Sequence, residues 1–119
     1  DLLRRGADMH RRWYPRGGGA ASFAYQVALA AMGSGRHDQA QTWIDHANDA
    51  VAGDHDAEES TVHMILEASR WAARVGHLAR ARTLLAKAHA FDRSGAWADD
   101  IDATATGIEE HAALLPDRT

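Results

Sequence analysis

Three residues of the chain are spaced so that they could hold a metal ion: Glu59, His63 and Glu67. Spacings of four would place them on one face of a helix. Zinc or iron would need more ligands from another helix, and the candidates are His37, His46 and His89. The sequence contains neither His-Glu-x-x-His nor paired Glu-x-x-His motifs. We therefore interpret the face as solvated, predict no metal and no cofactor, and keep a metal-binding helical bundle as a distant alternative.

The sequence also lacks the patterns of the common catalytic centres. Its serines lie in no nucleophile elbow: Ser22, Ser34, Ser60, Ser69 and Ser94. The glycines at 17–19 have no lysine and no preceding strand, so they do not form a phosphate-binding loop. The acids that begin with Asp54 and Asp56 do not follow the spacing of a calcium-binding EF-hand. We therefore expect that the protein is not an enzyme.

Four tryptophans could form an aromatic pocket for a small molecule. They fall one each on four predicted helices, at Trp13, Trp43, Trp71 and Trp97. Large aromatic side chains more often fill core space that small alanines leave empty. The pocket therefore remains an alternative to a purely structural role.

Charge is distributed unevenly along the chain, whose net charge is −4. Residues 1–19 carry +3, because two aspartates accompany a block of arginines at Arg4, Arg5, Arg11, Arg12 and Arg16. Residues 92–119 carry −5. The overall balance makes nucleic acid an unlikely partner. The basic block could instead meet an acidic partner or the acidic end of a second copy, so self-association is an open alternative to a solvated surface.

Composition predicts an all-α protein that forms a single domain over residues 1–119. The chain has 26 alanines and no cysteine, and its two prolines, Pro15 and Pro116, lie near the ends. The longest mostly apolar run, residues 23–32, is too short to span a bilayer, so no membrane partner is expected. The first residues lack the apolar stretch of a signal peptide, which predicts a cytoplasmic location. Because the chain begins without methionine, we expect it to be part of a larger regulatory protein.

One short pattern occurs twice, at a constant offset of 41 residues. It reads Gly-x4-Ala-x3-[Ile/Leu]-x2-Ala, first at Gly35, Ala40, Ile44 and Ala47, then at Gly76, Ala81, Leu85 and Ala88. The glycines suit a tight turn between two helices, and the first alanines would let the helix backbones approach closely. The other positions continue one helix face. A repeat of this length is typical of stacked helical hairpins.

These residues resemble the tetratricopeptide repeat over roughly residues 21–92, with a period longer than the usual length of about 34. The resemblance implies about six antiparallel helices, with hairpins stacked as a short solenoid or bundle. The expected segments are an N-terminal helix and glycine-rich joint (1–19), a first hairpin (20–52), an acidic connection (53–59), a second hairpin (60–92) and an amphipathic capping helix (94–115). Within them we expect helices at 2–14, 20–32, 37–52, 60–75 and 77–91.

In tetratricopeptide-like stacks, the first helix of each hairpin lines a concave groove. The side chains expected to face that groove are Tyr25, Leu29, Met32, His63, Leu66, Arg70 and Arg74. Arg70 and Arg74 share a helix face and could hold a carboxylate through forked hydrogen bonds. The alternative is that Arg70 pairs with Glu67 or another acid on the surface.

The leading hypothesis is a non-catalytic module that binds a protein or peptide, with an acidic or C-terminal peptide as the favoured partner. An all-helical sensor of small molecules with a tryptophan-lined pocket is the alternative.

Overall fold

The computed structural model describes residues 17–114, and in this part of the chain the fold is all-α, with six helices and no strand. We number the helices α1 (Gly18–Gly33), α2 (His37–Val51), α3 (His55–Ser60), α4 (Val62–Arg74), α5 (Leu78–Phe91) and α6 (Ala98–Leu114). The chain divides into two compact units at Thr61 and Val62. The single domain and the stacking of hairpins remain predictions, and the helix expected at 2–14 lies outside the described residues.

The first unit is built around the pair α1 and α2, which pack against each other along one alanine-rich face. The helix face predicted from the repeated pattern is confirmed, because Ala40, Ile44 and Ala47 are buried. The other buried members of the two helix faces are Ala24, Val27, Ala28, Ala31 and Val51. Between the helices, Gly35 has a φ of 79°. Its N–H donates to the Met32 carbonyl at 3.1 Å, and the next N–H, of Arg36, donates to the Ala31 carbonyl at 2.8 Å. Glycine adopts this left-handed conformation without steric cost, which is why the chain reverses here.

The segment predicted as an acidic connection, 53–59, is largely helical in the structure. Helix α3 begins after Asp54, whose carboxylate accepts a hydrogen bond of 3.1 Å from the Ala57 N–H. Asp56 and Glu58 lie in the first turn, where negative charge stabilises the positive end of a helix. Capping and charge together start a helix that the polar composition had concealed.

The second unit consists of α4, α5 and α6. Its predicted stripe on α4 is buried, with Ile65, Ala68, Ser69 and Ala72 at 0–1% exposure. The Ser69 hydroxyl donates to the Ala81 carbonyl of α5 at 2.7 Å, so the two backbones approach closely, as predicted for Ala81. A core cluster joins α4 and α5 to α6 through Ala72, Ala73, Leu78, Ala81 and Ile108.

Helix α6 begins at Ala98, four residues later than the predicted start at 94. The turn before it is held by the Asp92 carboxylate, which accepts a hydrogen bond of 3.1 Å from the Trp97 N–H. The Ser94 hydroxyl accepts from the Ala96 N–H at 3.3 Å, so Ser94 contributes to this turn and does not cap α6. The acids of the outer face, Asp99, Asp100, Asp102, Glu109 and Glu110, are exposed as predicted.

The turn between α4 and α5 has the same geometry as the turn between α1 and α2. Gly76 has a φ of 85°, its N–H donates to the Ala73 carbonyl at 3.1 Å, and the His77 N–H donates to the Ala72 carbonyl at 2.9 Å. Each donor and each acceptor lies 41 residues after its counterpart in the first turn. None of the described helices is long and apolar enough to cross a membrane.

Candidate functional site

Arg70 and Arg74 lie one turn apart on the exposed face of α4 and border a cleft between α4 and α6. The cleft has a volume of about 340 Å³. Its polar lining comes from Arg70, Arg74, Thr104 and His111, and the rest from Ala73, Ala103, Gly107 and Ile108. We call this space the α4–α6 cleft. It combines two positive charges with an adjacent apolar wall, within one compact unit.

Arg70 is oriented by the opposite wall of the cleft. Its Nε–H donates to the Thr104 hydroxyl oxygen at 3.3 Å, and that hydroxyl donates to the Asp100 carbonyl at 2.7 Å. Thr104 itself is only 3% exposed, so the hydroxyl is held inside the unit. This chain of contacts uses Nε and neither of the two terminal nitrogens of the guanidinium group. A donor held in place before binding loses less conformational entropy on binding.

Arg74 is restrained by its own helix. Its guanidinium carbon lies 5.2 Å from the centre of the Trp71 ring, a cation–π contact between residues three apart. Within the described residues neither Arg70 nor Arg74 makes an ion pair, and Arg70 does not pair with Glu67. Arg82 behaves differently, because its guanidinium forks onto Glu109 with hydrogen bonds of 3.2 and 3.3 Å. In the described part of the chain, the terminal nitrogens of Arg70 and the guanidinium group of Arg74 have no hydrogen-bond partner.

Three of the other lining residues form a stripe on α6 at spacings of four. This stripe consists of Ala103, Gly107 and His111. Gly107, Thr104 and His111 are not among the site residues predicted from the sequence. A threonine and a histidine on an amphipathic helix give no signal alone, because which helix they face depends on tertiary packing.

The other predicted groove residues are placed differently from the arginines. Tyr25, Met32 and Leu66 are buried, at 0–2% exposure, so a ligand does not reach them from solvent in this structure. Leu29 is partly exposed, and His63 is exposed, with its ring stacked on Trp97 at 6.0 Å. The structure thus brings Arg70 and Arg74 together in one cleft.

The Tyr25 phenol is a buried polar group with a defined partner. Its O–H donates to the Asn48 side-chain oxygen on α2 at 2.8 Å. Burial raises the pKa of Tyr25 well above its usual value of 10.0, and the Asp45 carboxylate adds to the rise. Both the hydrogen bond and the pKa indicate a side chain that stabilises the α1–α2 pair in its protonated form.

The tryptophans of the described region do not line the α4–α6 cleft. Trp43 is buried in the first unit, where its ring meets His46 edge-on at 5.3 Å. Trp71 and Trp97 are partly exposed in the second unit, and Trp13 lies outside the described residues. Their contacts are with Arg74 and His63, as given above.

The metal-ligand candidates do not share one helix. Glu59 lies on α3, whereas His63 and Glu67 lie on α4, because the helix is interrupted at Thr61. Between residues 17 and 114 no group of three or more histidines and acids is close enough to hold a metal ion. The single helix face that the spacing of Glu59, His63 and Glu67 suggests is therefore not formed.

No protein-family model, curated protein or solved structure matches the chain. Two guanidinium groups beside an apolar wall are suited to binding an anion that carries an apolar group.

Proposed function

We propose that the chain is a non-catalytic binding module that holds an acidic or C-terminal peptide through Arg70 and Arg74. The observation that carries the proposal is that both arginines line one cleft and make no ion pair within the described residues. Arginine presents its donors in a planar fork that fits a carboxylate, and such charge-assisted hydrogen bonds are about twice as strong as neutral ones. The apolar lining then accepts part of the peptide beside that carboxylate.

A tetratricopeptide-like architecture is part of the proposal. It is supported by the repeated sequence pattern and by the two turns whose backbone hydrogen bonds correspond at an offset of 41 residues. In this hypothesis the hairpins stack as a short solenoid, and α6 is the capping helix whose acidic outer face meets solvent. A cytoplasmic location and service within a larger regulatory protein belong to the same proposal.

The proposal is tested by an array of immobilised peptides, in which each acidic sequence stands beside a copy with amides in place of its carboxylates. The parent and the variant Arg70→Ala/Arg74→Ala are applied to the same array. The matched control is Arg82→Ala/Arg93→Ala, which removes the same charge from residues outside the cleft. We expect the parent and the control to bind acidic peptides and the cleft variant to lose them.

The opposite result would be a cleft variant that keeps every partner of the parent at unchanged affinity. A parent that binds the amide copies as well as the acidic peptides would also exclude the carboxylate as the recognised group. Circular dichroism of all three proteins verifies that the exposed substitutions leave the helices intact.

A further inference from the structure

Gly107 is a glycine that neither the backbone nor the packing of α6 requires. It lies inside α6 and is not among the glycines with a positive φ. A Cβ built at this position meets no heavy atom of the described residues within 4 Å, apart from its chain neighbours and the backbone of its own helix. Glycine in a helix interior is less stable than alanine. Stability of the helix therefore gives no reason for glycine here.

Position 107 is part of the lining of the α4–α6 cleft. Gly107 is one turn from Ala103 and one turn from His111, and all three line the cleft that Arg70 and Arg74 border. A methyl group at position 107 would therefore be added to the lining of the cleft without meeting another wall atom within 4 Å. Without one, the α6 wall recedes between Ala103 and His111 and leaves room beside the two guanidinium groups.

We infer that Gly107 determines specificity, by opening an apolar socket for one aliphatic side chain next to the carboxylate that Arg70 and Arg74 hold. The inference rests on the proposed function and narrows its ligand to the last residue of a peptide. In that residue the carboxylate and the side chain are bonded to the same carbon atom. They can therefore contact the two guanidinium groups and the adjacent apolar wall at the same time. A cleft of about 340 Å³ is small, near the lower limit of ligand pockets, and suits one residue better than a longer segment.

The probe is N-acetyl-leucine, titrated into the whole isotope-labelled chain and followed by the amide signals in two-dimensional NMR spectra. We expect saturable shifts centred on Thr104, Gly107, Ile108 and His111. N-acetyl-leucinamide lacks the carboxylate, and N-acetylglycine lacks the side chain. Each should bind at least about tenfold more weakly, because a charge-assisted pair or the burial of an isobutyl group is lost. The α-amide of N-acetyl-glutamate, which has only a side-chain carboxylate, should also bind more weakly than N-acetyl-leucine.

The decisive variant is Gly107→Ala, with Gly33→Ala as its matched control. Gly33 is also a helical glycine with open space at its Cβ, but it lies at the end of α1, outside the cleft. We expect Gly107→Ala to raise the melting temperature by a few degrees and to weaken N-acetyl-leucine binding about fivefold or more. Gly33→Ala should leave that binding unchanged. A merely structural glycine would not give greater stability together with weaker binding.

The inference is overturned if Gly107→Ala binds N-acetyl-leucine as tightly as the parent, or if its melting temperature falls. It is equally overturned if N-acetyl-leucine does not bind, or if any of the three comparison compounds binds as tightly. If the binding of acidic peptides still depends on Arg70 and Arg74, the proposed function stands and only the socket is wrong. If those peptides fail as well, both proposals are wrong.

Discussion

Ala81 lies where α4 and α5 pack against each other. It is fully buried, and its carbonyl accepts the Ser69 hydroxyl at 2.7 Å. We expect Ala81→Phe to lower the free energy of unfolding by about 1–3 kcal/mol or more, because the ring has no space at a close helix crossing. Ala79→Phe, at an exposed position of the same helix, should cost clearly less. Thermal melts of the two variants decide this, and equal small losses would contradict the packing.

Tyr25 makes the free energy of unfolding depend on pH in the alkaline range. The folded-state pKa is raised above the unfolded value, so the stabilisation is fully present below about pH 10 and is lost as pH rises towards the folded pKa. The loss amounts to about 1.4 kcal/mol per pH unit, because only the unfolded chain releases the proton in this range. Tyr25→Phe does not show this pH-dependent loss of stability. At neutral pH, however, it is less stable than the parent by about 0.5–1.5 kcal/mol, because the hydrogen bond to Asn48 is lost.

Urea unfolding of the parent and of Tyr25→Phe, at about pH 8 and about pH 11, measures this difference. We expect the advantage of the parent at the lower pH to shrink or reverse at the higher pH. If the difference in free energy of unfolding between the parent and Tyr25→Phe is the same at both pH values, the phenol of Tyr25 ionises as readily in the folded chain as in the unfolded one.

Residue types that repeat at helical spacing were predictable from the sequence, whereas isolated polar contacts were not. The stripe around Ile44 and the pairing of Ala81 with α4 follow from periodicity, which one sequence contains in full. Thr104 could not be predicted, because its hydrogen bond to Arg70 joins residues 34 positions apart. Tyr25 was expected in a groove and is buried, since a large ring fills the space that neighbouring alanines leave.

At the scale of elements, two turns with the same backbone conformation reverse the chain within each unit. Gly35 and Gly76 have φ values of 79° and 85°, which a side chain disfavours. We expect Gly35→Ala and Gly76→Ala each to lower the free energy of unfolding by about 1 kcal/mol or more, because the strain is the same in both. Denaturant unfolding measures both losses. A neutral or stabilising effect at either site would show that its turn does not depend on the left-handed backbone.

Helix boundaries were harder to predict than helices. The start of α3 depends on one carboxylate, of Asp54, which accepts a backbone hydrogen bond. The delayed start of α6 depends on Asp92, which holds the preceding turn. In both cases local hydrogen bonds act at the boundary, and an acidic composition alone is consistent with either a loop or a first helical turn.

At the scale of the whole molecule, net charge and local charge have opposite signs. The chain carries −4, yet Arg70 and Arg74 present two positive charges at one cleft of the second unit. An acidic ligand is therefore attracted locally and repelled by the protein as a whole. Salt screens charges that are separated by more than about 8–10 Å, so a contact inside the cleft is screened less than the distant repulsion.

The central claim is that this arginine pair recognises a carboxylate. The most direct measurement is the dissociation constant of one acidic peptide selected on the array, determined by calorimetry with the parent, with Arg70→Ala/Arg74→Ala and with Arg82→Ala/Arg93→Ala. We predict at least about tenfold weaker binding for the cleft variant, because each lost charge-assisted bond contributes about 1.5–3 kcal/mol, and an unchanged constant for the control. Equal dissociation constants for the parent and the cleft variant would contradict the claim.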